Sequence, residues 1–313
     1  MAQENTTAPV TAANSNQGLK RRLRLGEKVI EGWILLAGLL AIVVLLGIIF
    51  ILFKEGLPVF THTPPWEFLF GTKWYPVSDP PTFGIAPFFV STLMITLIST
   101  VIAVPIGVAT AAYLAEVAPV KVRETVKPVI EILAGIPSVM MGFIGLALLS
   151  PFVQSLFNLP TGLTGLTAAI MLSMMSLPII VSVSEDAMHA VPHEFKEASY
   201  ALGATKWETI WHVCIPAALS GIAAAIMLGV GRAIGETMTV LMVAGGALAI
   251  PTSPTDPMTT MTAAIASGIG NAVRGGPQYQ ALFAVGLILF ILTLAVNIIA
   301  ERVLERQKRK FAR

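Results

Sequence analysis

From Ile132 to Ser184 the chain runs for 53 residues without a charged side chain. Roughly 20 mostly apolar residues suffice to cross a bilayer as a helix, so this block is too long for one span and has to turn within itself. The stretch FNLPTGLTG (Phe157 to Gly165) is a turn by composition and divides it into two helices. Other runs repeat the pattern. Gly32 to Phe53 is 22 residues without a charge, and Pro80 to Ala115 has none, although its first Pro/Phe/Gly-rich part suits the membrane interface. Ala217 to Ile250 and Ala281 to Ala300 complete the set. The expectation is an all-α integral membrane protein with six transmembrane helices. Composition agrees: 12% of residues are charged, against about a quarter in soluble domains, and the mean hydropathy is +0.78.

Lysine and arginine set the orientation of such a chain. Six spans put both termini on one side. That side collects Lys20, Arg21, Arg22, Arg24 and Lys28, then Lys121, Arg123 and Lys127, Lys196 and Lys206, and the basic residues from Arg302 to Arg313. Sixteen basic residues stand there against three (Lys54, Lys73 and Arg274) on the other, with Arg232 inside a span. Both termini are therefore expected in the cytoplasm. The polar N-terminal segment, to about Gly26, reads as disordered. The apolar run after it is too long for the core of a signal peptide and FKEGLPVF offers no small-residue cleavage site, so the first span is expected to remain as an anchor. Lys54 to Phe83, with His62, Trp66, Trp74, Tyr75 and several prolines, reads as an external loop with interfacial aromatics. The resulting division is a tail over 1–28, an anchor helix over 29–54, an external loop over 55–84, a core over 85–302 and a basic tail over 303–313.

Several chemistries find no support. The single Cys214 excludes an internal disulfide and reads as a packed thiol. His189 and His193 have the spacing of a zinc helix, with Glu185, Asp186 and Glu194 nearby, but Pro192 between them suits the start of a new helix, so the rings need not share a face. No metal or other cofactor is expected. No Gly-Lys dipeptide occurs, which rules out a P-loop; if ATP drives this protein, another subunit binds it.

Two stretches remain. EASYALGATKWETIWHVCIP (Glu197 to Pro216) lies on the cytoplasmic side, in a loop spanning 185–216. Pro192 can start a helix running to Leu202, and Gly203 fits the position just past its end, where φ is often positive. Thr205 to Glu208 matches a capping box that starts a second helix. Trp207 and Trp211 then fall on one face, as an amphipathic helix on lipid headgroups or as a knob for a soluble partner. The second stretch is GRAIGET, which puts Arg232 and Glu236 near the centre of the fifth span, four residues apart on one helix face. Ionisable residues at that depth usually line a pathway or pair with each other. Gly221, Ala225, Gly229 and Ala233 make a small-residue face that suits a packing role. Arg before Glu is the weaker order for a helical pair, which favours the pathway. Arginine's planar fork suits a tetrahedral oxyanion.

The loop resembles the EAA motif of type I ABC-importer permeases, EAA-x3-G-x9-I-x-L-P. Glu197, Ala198 and Ser199 stand for EAA, Gly203 follows after three residues, and nine more lead to Val213, Cys214, Ile215 and Pro216. Ser199, Val213 and Ile215 depart from the pattern with little change in size or polarity. The resemblance implies a coupling helix seated in a groove of a cytoplasmic ATPase, with Glu197, Ala198, Ser199, Gly203, Ile215 and Pro216 at the contact. GRAIGETMTVLMVAGG (Gly231 to Gly246) and EILAGIPSVMMGFIGL (Glu131 to Leu146) further resemble the C-type permease of the phosphate-specific branch, a likeness running from about Phe83 to the end. It implies import of inorganic phosphate through the bacterial inner membrane. The implied partners are a second, A-type permease subunit, two ATPase subunits and an external phosphate-binding protein, with no nucleic acid. Arg232 and Glu236 take the transport residues' positions in that resemblance. The alternatives are a permease for another oxyanion, such as molybdate or sulfate, and a secondary transporter using Arg232 and Glu236 as a relay. The latter has no use for the capped loop and lacks visible inverted repeats.

Overall fold

The computed structural model describes residues 15–311; Met1–Asn14 and the last two residues lie outside it. Six helices among the described residues are long and apolar enough to cross a membrane: Ile30–Thr61, Ala86–Val117, Ser138–Phe157, Gly165–His189, Lys206–Gly235 and Pro277–Arg302. The chain divides into two units, one ending at Ile51 and the other running from Leu52 to Arg313.

The first unit lies on helix α1 (Ser15–Gly56). Its most apolar 18 residues have a mean hydropathy of 3.3, as suits a helix apolar on every side. The chain is helical from the first described residue, Ser15, so the part of the tail from 15 to 26 is helical rather than disordered. The reason is propensity: LKRRLRL is built of strong helix formers and continues the span without a break.

In the second unit, a 3₁₀ turn (Leu57–Thr61) leads to α2 (Pro65–Phe70) and a two-stranded antiparallel ribbon, β1 (Trp74–Tyr75) against β2 (Thr82–Phe83). This segment is more than a loop with aromatics at an interface. Trp66 and Tyr75 are exposed, but Trp74 is buried and meets Phe83 and Phe88 edge-on at 5.5 and 5.1 Å, forming a small core with Phe68. Edge-to-face contacts at that separation add to the area the rings bury.

The centre of the unit is α7 (Gly165–His189), held between α3 (Ala86–Ala112) and α10 (Ile215–Gly235). The three come close because small residues face Ile180. A Cβ placed on Gly107 of α3 would lie 2.6 Å from Ile180 Cγ2, and one on Gly229 of α10 would lie 2.8 Å from Ile180 Cγ1. Ala225 and Ala233 are buried and Gly221 abuts Ala187, so the small-residue face of the fifth span packs on α7 as its spacing predicts. Several hydroxyls of α3 are satisfied locally: Ser91, Thr92 and Thr100 each donate at 2.7 Å to the carbonyl four residues back.

The charge-free block does divide in two, but it starts later than its composition suggests. An amphipathic helix α4 (Val120–Ala134) takes up Ile132 to Ala134, and the chain breaks at Gly135 to Pro137. The third span then runs through α5 (Ser138–Ile144), a π-turn and α6 (Ser150–Phe157). Asn158, with φ +51°, ends it.

The fifth span differs most from expectation. It stops at Gly235 rather than continuing to Ile250, and a short helix α11 (Met238–Val243), with Thr239, Val240 and Val243 buried, packs on α5 and α7. Residues 244–260 then fold over the start of α7, where Asp256 and Pro254 carbonyls accept the amides of Gly165 and Leu166. The Asp256 carboxylate accepts the amides of Ser253 and Thr252, which hold its pKa below the ordinary carboxylate value. Helices α12 (Met261–Ile269) and α13 (Pro277–Phe311) complete the chain.

Candidate functional site

The loop from Glu197 to Pro216 folds as its punctuation predicts. Helix α8 (His193–Ala201) follows Pro192. Gly203 has φ +86°; its amide donates to Tyr200 O, and the Ala204 amide donates to Ser199 O, the pair of bonds that closes a Schellman turn. Two residues on, Thr205 Oγ1 accepts from the Glu208 amide at 3.3 Å, and Glu208 Oε2 accepts from the Thr205 amide at 2.8 Å. This capping box opens α9 (Lys206–Thr209), which continues through a π-turn (Ile210–Cys214) into α10 without interruption. The second arm of the loop is thus the first part of the fifth span.

Ser199, which departs from the EAA pattern, has a structural use. Its hydroxyl lies 2.9 Å from Thr209 Oγ1 and joins the two arms. Glu197 and Ala198 are exposed, as is Leu202 at the tip, at 90%. Trp207 and Trp211 meet edge-on at 5.9 Å and are both exposed. Ile215 and Pro216 are half-buried at the start of α10, and Cys214 is fully buried, a packed thiol.

Ion pairs at the base of the loop were not legible in the sequence. Glu185, 1% exposed near the end of α7, lies 2.6 Å from Arg123 Nη2 and accepts from Lys127 Nζ at 2.6 Å; Lys127 also donates to Asp186. Burial pulls the Lys127 amine down, but its bonds to Asp186 and Glu185 and their charges outweigh that and raise it overall. Arg123 also comes within 3.3 Å of His189 Nδ1. The acids beside His189 are therefore engaged by α4. A second pair, Lys196 to Glu116 at 2.7 Å, joins α8 to the π-turn (Tyr113–Val117) that ends α3. The only trace of these partners in the sequence is that Glu116 and Glu185 bound two charge-free runs.

Arg232 and Glu236 do not share a helix face. Helix α10 ends at Gly235, and Glu236 is extended (φ −68°, ψ 131°). Its carboxylate accepts the Thr239 amide at 3.1 Å, serving the start of α11, and its carbonyl accepts from Thr262 Oγ1 at 2.8 Å. The competing local bond explains the break: glycine gives the helix little reason to continue, and the Glu236 side chain satisfies an amide that α11 cannot. Among the described residues no ion pair joins Arg232 to Glu236. Arg232 is half-buried and its Nε is enclosed without a hydrogen-bond partner. At about 1.5 Å per residue it stands roughly 24 Å along the helix from Pro216, toward the far end rather than the centre of the span.

Comparison with known proteins places this architecture. Residues 103–310 match the family described as "Binding-protein-dependent transport system inner membrane component". A Bacillus subtilis protein, "Probable ABC transporter permease protein YqgH", is 38% identical over 277 residues, 88% of each chain. The "Phosphate transport system permease protein PstC" of Mesorhizobium japonicum is 36% identical over 94% of each chain. Among solved structures, a bacterial alginate ABC transporter in complex with its pentasaccharide-bound periplasmic protein gives a TM-score of 0.62, at 16% identity, over 90% of this chain and 98% of that one. An inward-facing MetNI methionine ABC transporter gives 0.56, at 22% identity, over 69% and 93%. The structural likenesses speak to the fold, and the family match covers most of the chain: it belongs to the binding-protein-dependent transport system inner membrane components, the membrane-spanning permease subunits of ABC importers, which leave ATP hydrolysis and substrate capture to separate partners.

Proposed function

We propose that this chain is the C-type permease subunit of an inorganic phosphate importer of the bacterial inner membrane. It works with an A-type permease subunit, two ATPase subunits and an external phosphate-binding protein. The observation that carries this reading is the 36% identity, over 94% of both chains, to the Mesorhizobium japonicum phosphate transport system permease. The Bacillus subtilis relative carries the broader description alone, so the substrate is what an experiment has to decide. Membrane vesicles holding the complex should take up radiolabelled phosphate with ATP, and excess sulfate or molybdate should not compete. Uptake of sulfate or molybdate in place of phosphate would move the chain to another oxyanion importer. Phosphate uptake driven by an ion gradient without ATP would make it a secondary transporter.

Within that reading, Arg232 and Glu236 line the substrate path. An enclosed guanidinium Nε with no partner among the described residues supports this, because a buried charged group of that kind normally finds an acceptor. Glu197, Ala198, Ser199, Gly203, Ile215 and Pro216 form or shape the surface gripped by the ATPase, supported by the exposed, capped, two-armed loop. Both termini and this loop face the cytoplasm, supported by sixteen basic residues against three. Labelling tests the orientation. In a Cys214→Ser background, cysteine at exposed Ser78 should react with an impermeant thiol reagent in intact cells, and cysteine at exposed Thr125 should react only after permeabilisation. Labelling at Thr125 in intact cells reverses the topology.

A further inference from the structure

Helix α8 carries Glu197 and Ala198 on its exposed surface, yet of its nine residues one alone is buried: Lys196. The Lys196 and Glu116 side chains are 10% and 8% exposed, and the contact between Nζ and Oε1 is 2.7 Å. Glu116 belongs to the π-turn (Tyr113–Val117) that ends α3, and α3 lies along the central helix α7. The end of α3 and the second arm of the loop share an apolar cluster that buries Ala112 and Ile210. An apolar cleft of about 620 Å³ separates Tyr113 and Val117 from Trp207, Ile210, Trp211 and Ile215.

We propose that the Lys196–Glu116 ion pair is the strut through which displacement of the ATPase-facing loop is delivered to the second membrane span. This rests on the reading of the 197–216 loop as the ATPase contact. Lysine and glutamate are almost never this deeply buried unless paired, and separating them leaves a lone charge out of water. The two ends of the pair therefore move together. Ala112 of α3 and Ile210 of the second arm also share an apolar cluster, but apolar side chains can slide past one another, whereas a buried ion pair cannot separate without leaving a lone charge. A push on α8 accordingly reaches α3, and through it the interior of the permease. Lys196 and Glu116 are positioning residues; neither touches the transported ion.

The test uses the whole complex, purified from native membranes on a tag carried by this chain. Reconstituted in liposomes with the external binding protein, it reports phosphate transported per ATP hydrolysed. Lys196→Gln or Glu116→Gln should lower that ratio about tenfold, within the range by which residues along a coupling network act. The exchange of charges, Lys196→Glu with Glu116→Lys, should recover most of it. The apolar pair, Lys196→Met with Glu116→Leu, should assemble but stay uncoupled. Both double variants leave no lone buried charge, so they decide the matter where single variants fail to assemble. An exchange that assembles without recovery, or an apolar pair that keeps the wild-type ratio, overturns the strut. A second measurement keeps both residues of the pair: spin labels at exposed Phe195 and Val117, in a Cys214→Ala background that adds no polar group beside Glu116, should keep one separation in nucleotide-free and vanadate-trapped complex. A separation that changes between those states also overturns it. The loop reading is tested apart, by Leu202→Glu at the exposed tip. Loss of ATPase subunits from that purified complex supports the contact, and full retention removes it whatever the strut variants do.

Discussion

Arg232→Gln should abolish phosphate uptake while the complex still assembles. Glutamine keeps much of the length and polarity of the side chain and removes the charge. If Arg232 were a packing staple closed by Glu236, its loss would be felt in assembly. But α10 ends at Gly235, Glu236 turns its carboxylate to the Thr239 amide, and the Arg232 Nε has no acceptor among the described residues. A charge-assisted hydrogen bond is worth about 1.5–3 kcal/mol, so losing the two of the fork to a phosphate oxyanion lowers uptake by about 100-fold or more. Arg232→Lys should rescue poorly, because a point charge cannot reproduce the two parallel donors of the fork. Glu236→Gln keeps a carbonyl oxygen for Thr239, so α11 should hold its place while turnover falls. The glutamate's charge limits how tightly an anion can lodge at the arginine, and conduction needs release as well as entry. Uptake in vesicles, measured beside the yield of intact complex, reads both effects. Near-normal uptake by Arg232→Gln would remove Arg232 from the path.

Gly203→Val should insert and fold normally but lose ATPase binding or transport-coupled hydrolysis. A Cβ on Gly203 meets nothing within 4 Å, so there is no clash with a neighbour to confuse the result. What remains is φ +86°, a conformation in which a β-branched residue is strained by about 1–3 kcal/mol. The Schellman turn that reverses the chain between α8 and α9 depends on that angle. At about 1.4 kcal/mol per tenfold, the population of loops in the docked shape falls by about 10-fold to 100-fold. Gly203→Asn should be milder, because asparagine visits the left-handed region more readily. Copurification of the ATPase, with hydrolysis stimulated by the binding protein, gives the order glycine, asparagine, valine. Equal coupling in all three would mean the turn does not matter to the contact.

The loop was readable because its instructions are local. Pro192, Gly203 and the Thr205–Glu208 box each act on amides within a few residues, and all three take the predicted geometry. The number of spans was readable for a related reason. In a bilayer every backbone amide has to be bonded within its own helix, so apolar length by itself counts the crossings. Where composition misled, a short-range competitor was present that hydropathy does not weigh. Gly235 and Glu236 ended the fifth span inside an apolar run, and the Leu/Arg/Lys stretch after Ser15 carried helix into a polar tail.

By itself, then, the sequence determined how many times the chain crosses the membrane and where the loop reverses, because each depends on residues near one another in the chain. Which charges meet was decided only by the tertiary fold. Glu116 and Lys196 are 80 residues apart, and Lys127 and Glu185 are 58 apart. Glu116 and Glu185 each bound a charge-free run, Lys127 and Lys196 lie among other charges, and nothing in their neighbours names a partner. The partner is fixed when α3, α4 and α10 settle around α7, since burying those charges is tolerable only in pairs.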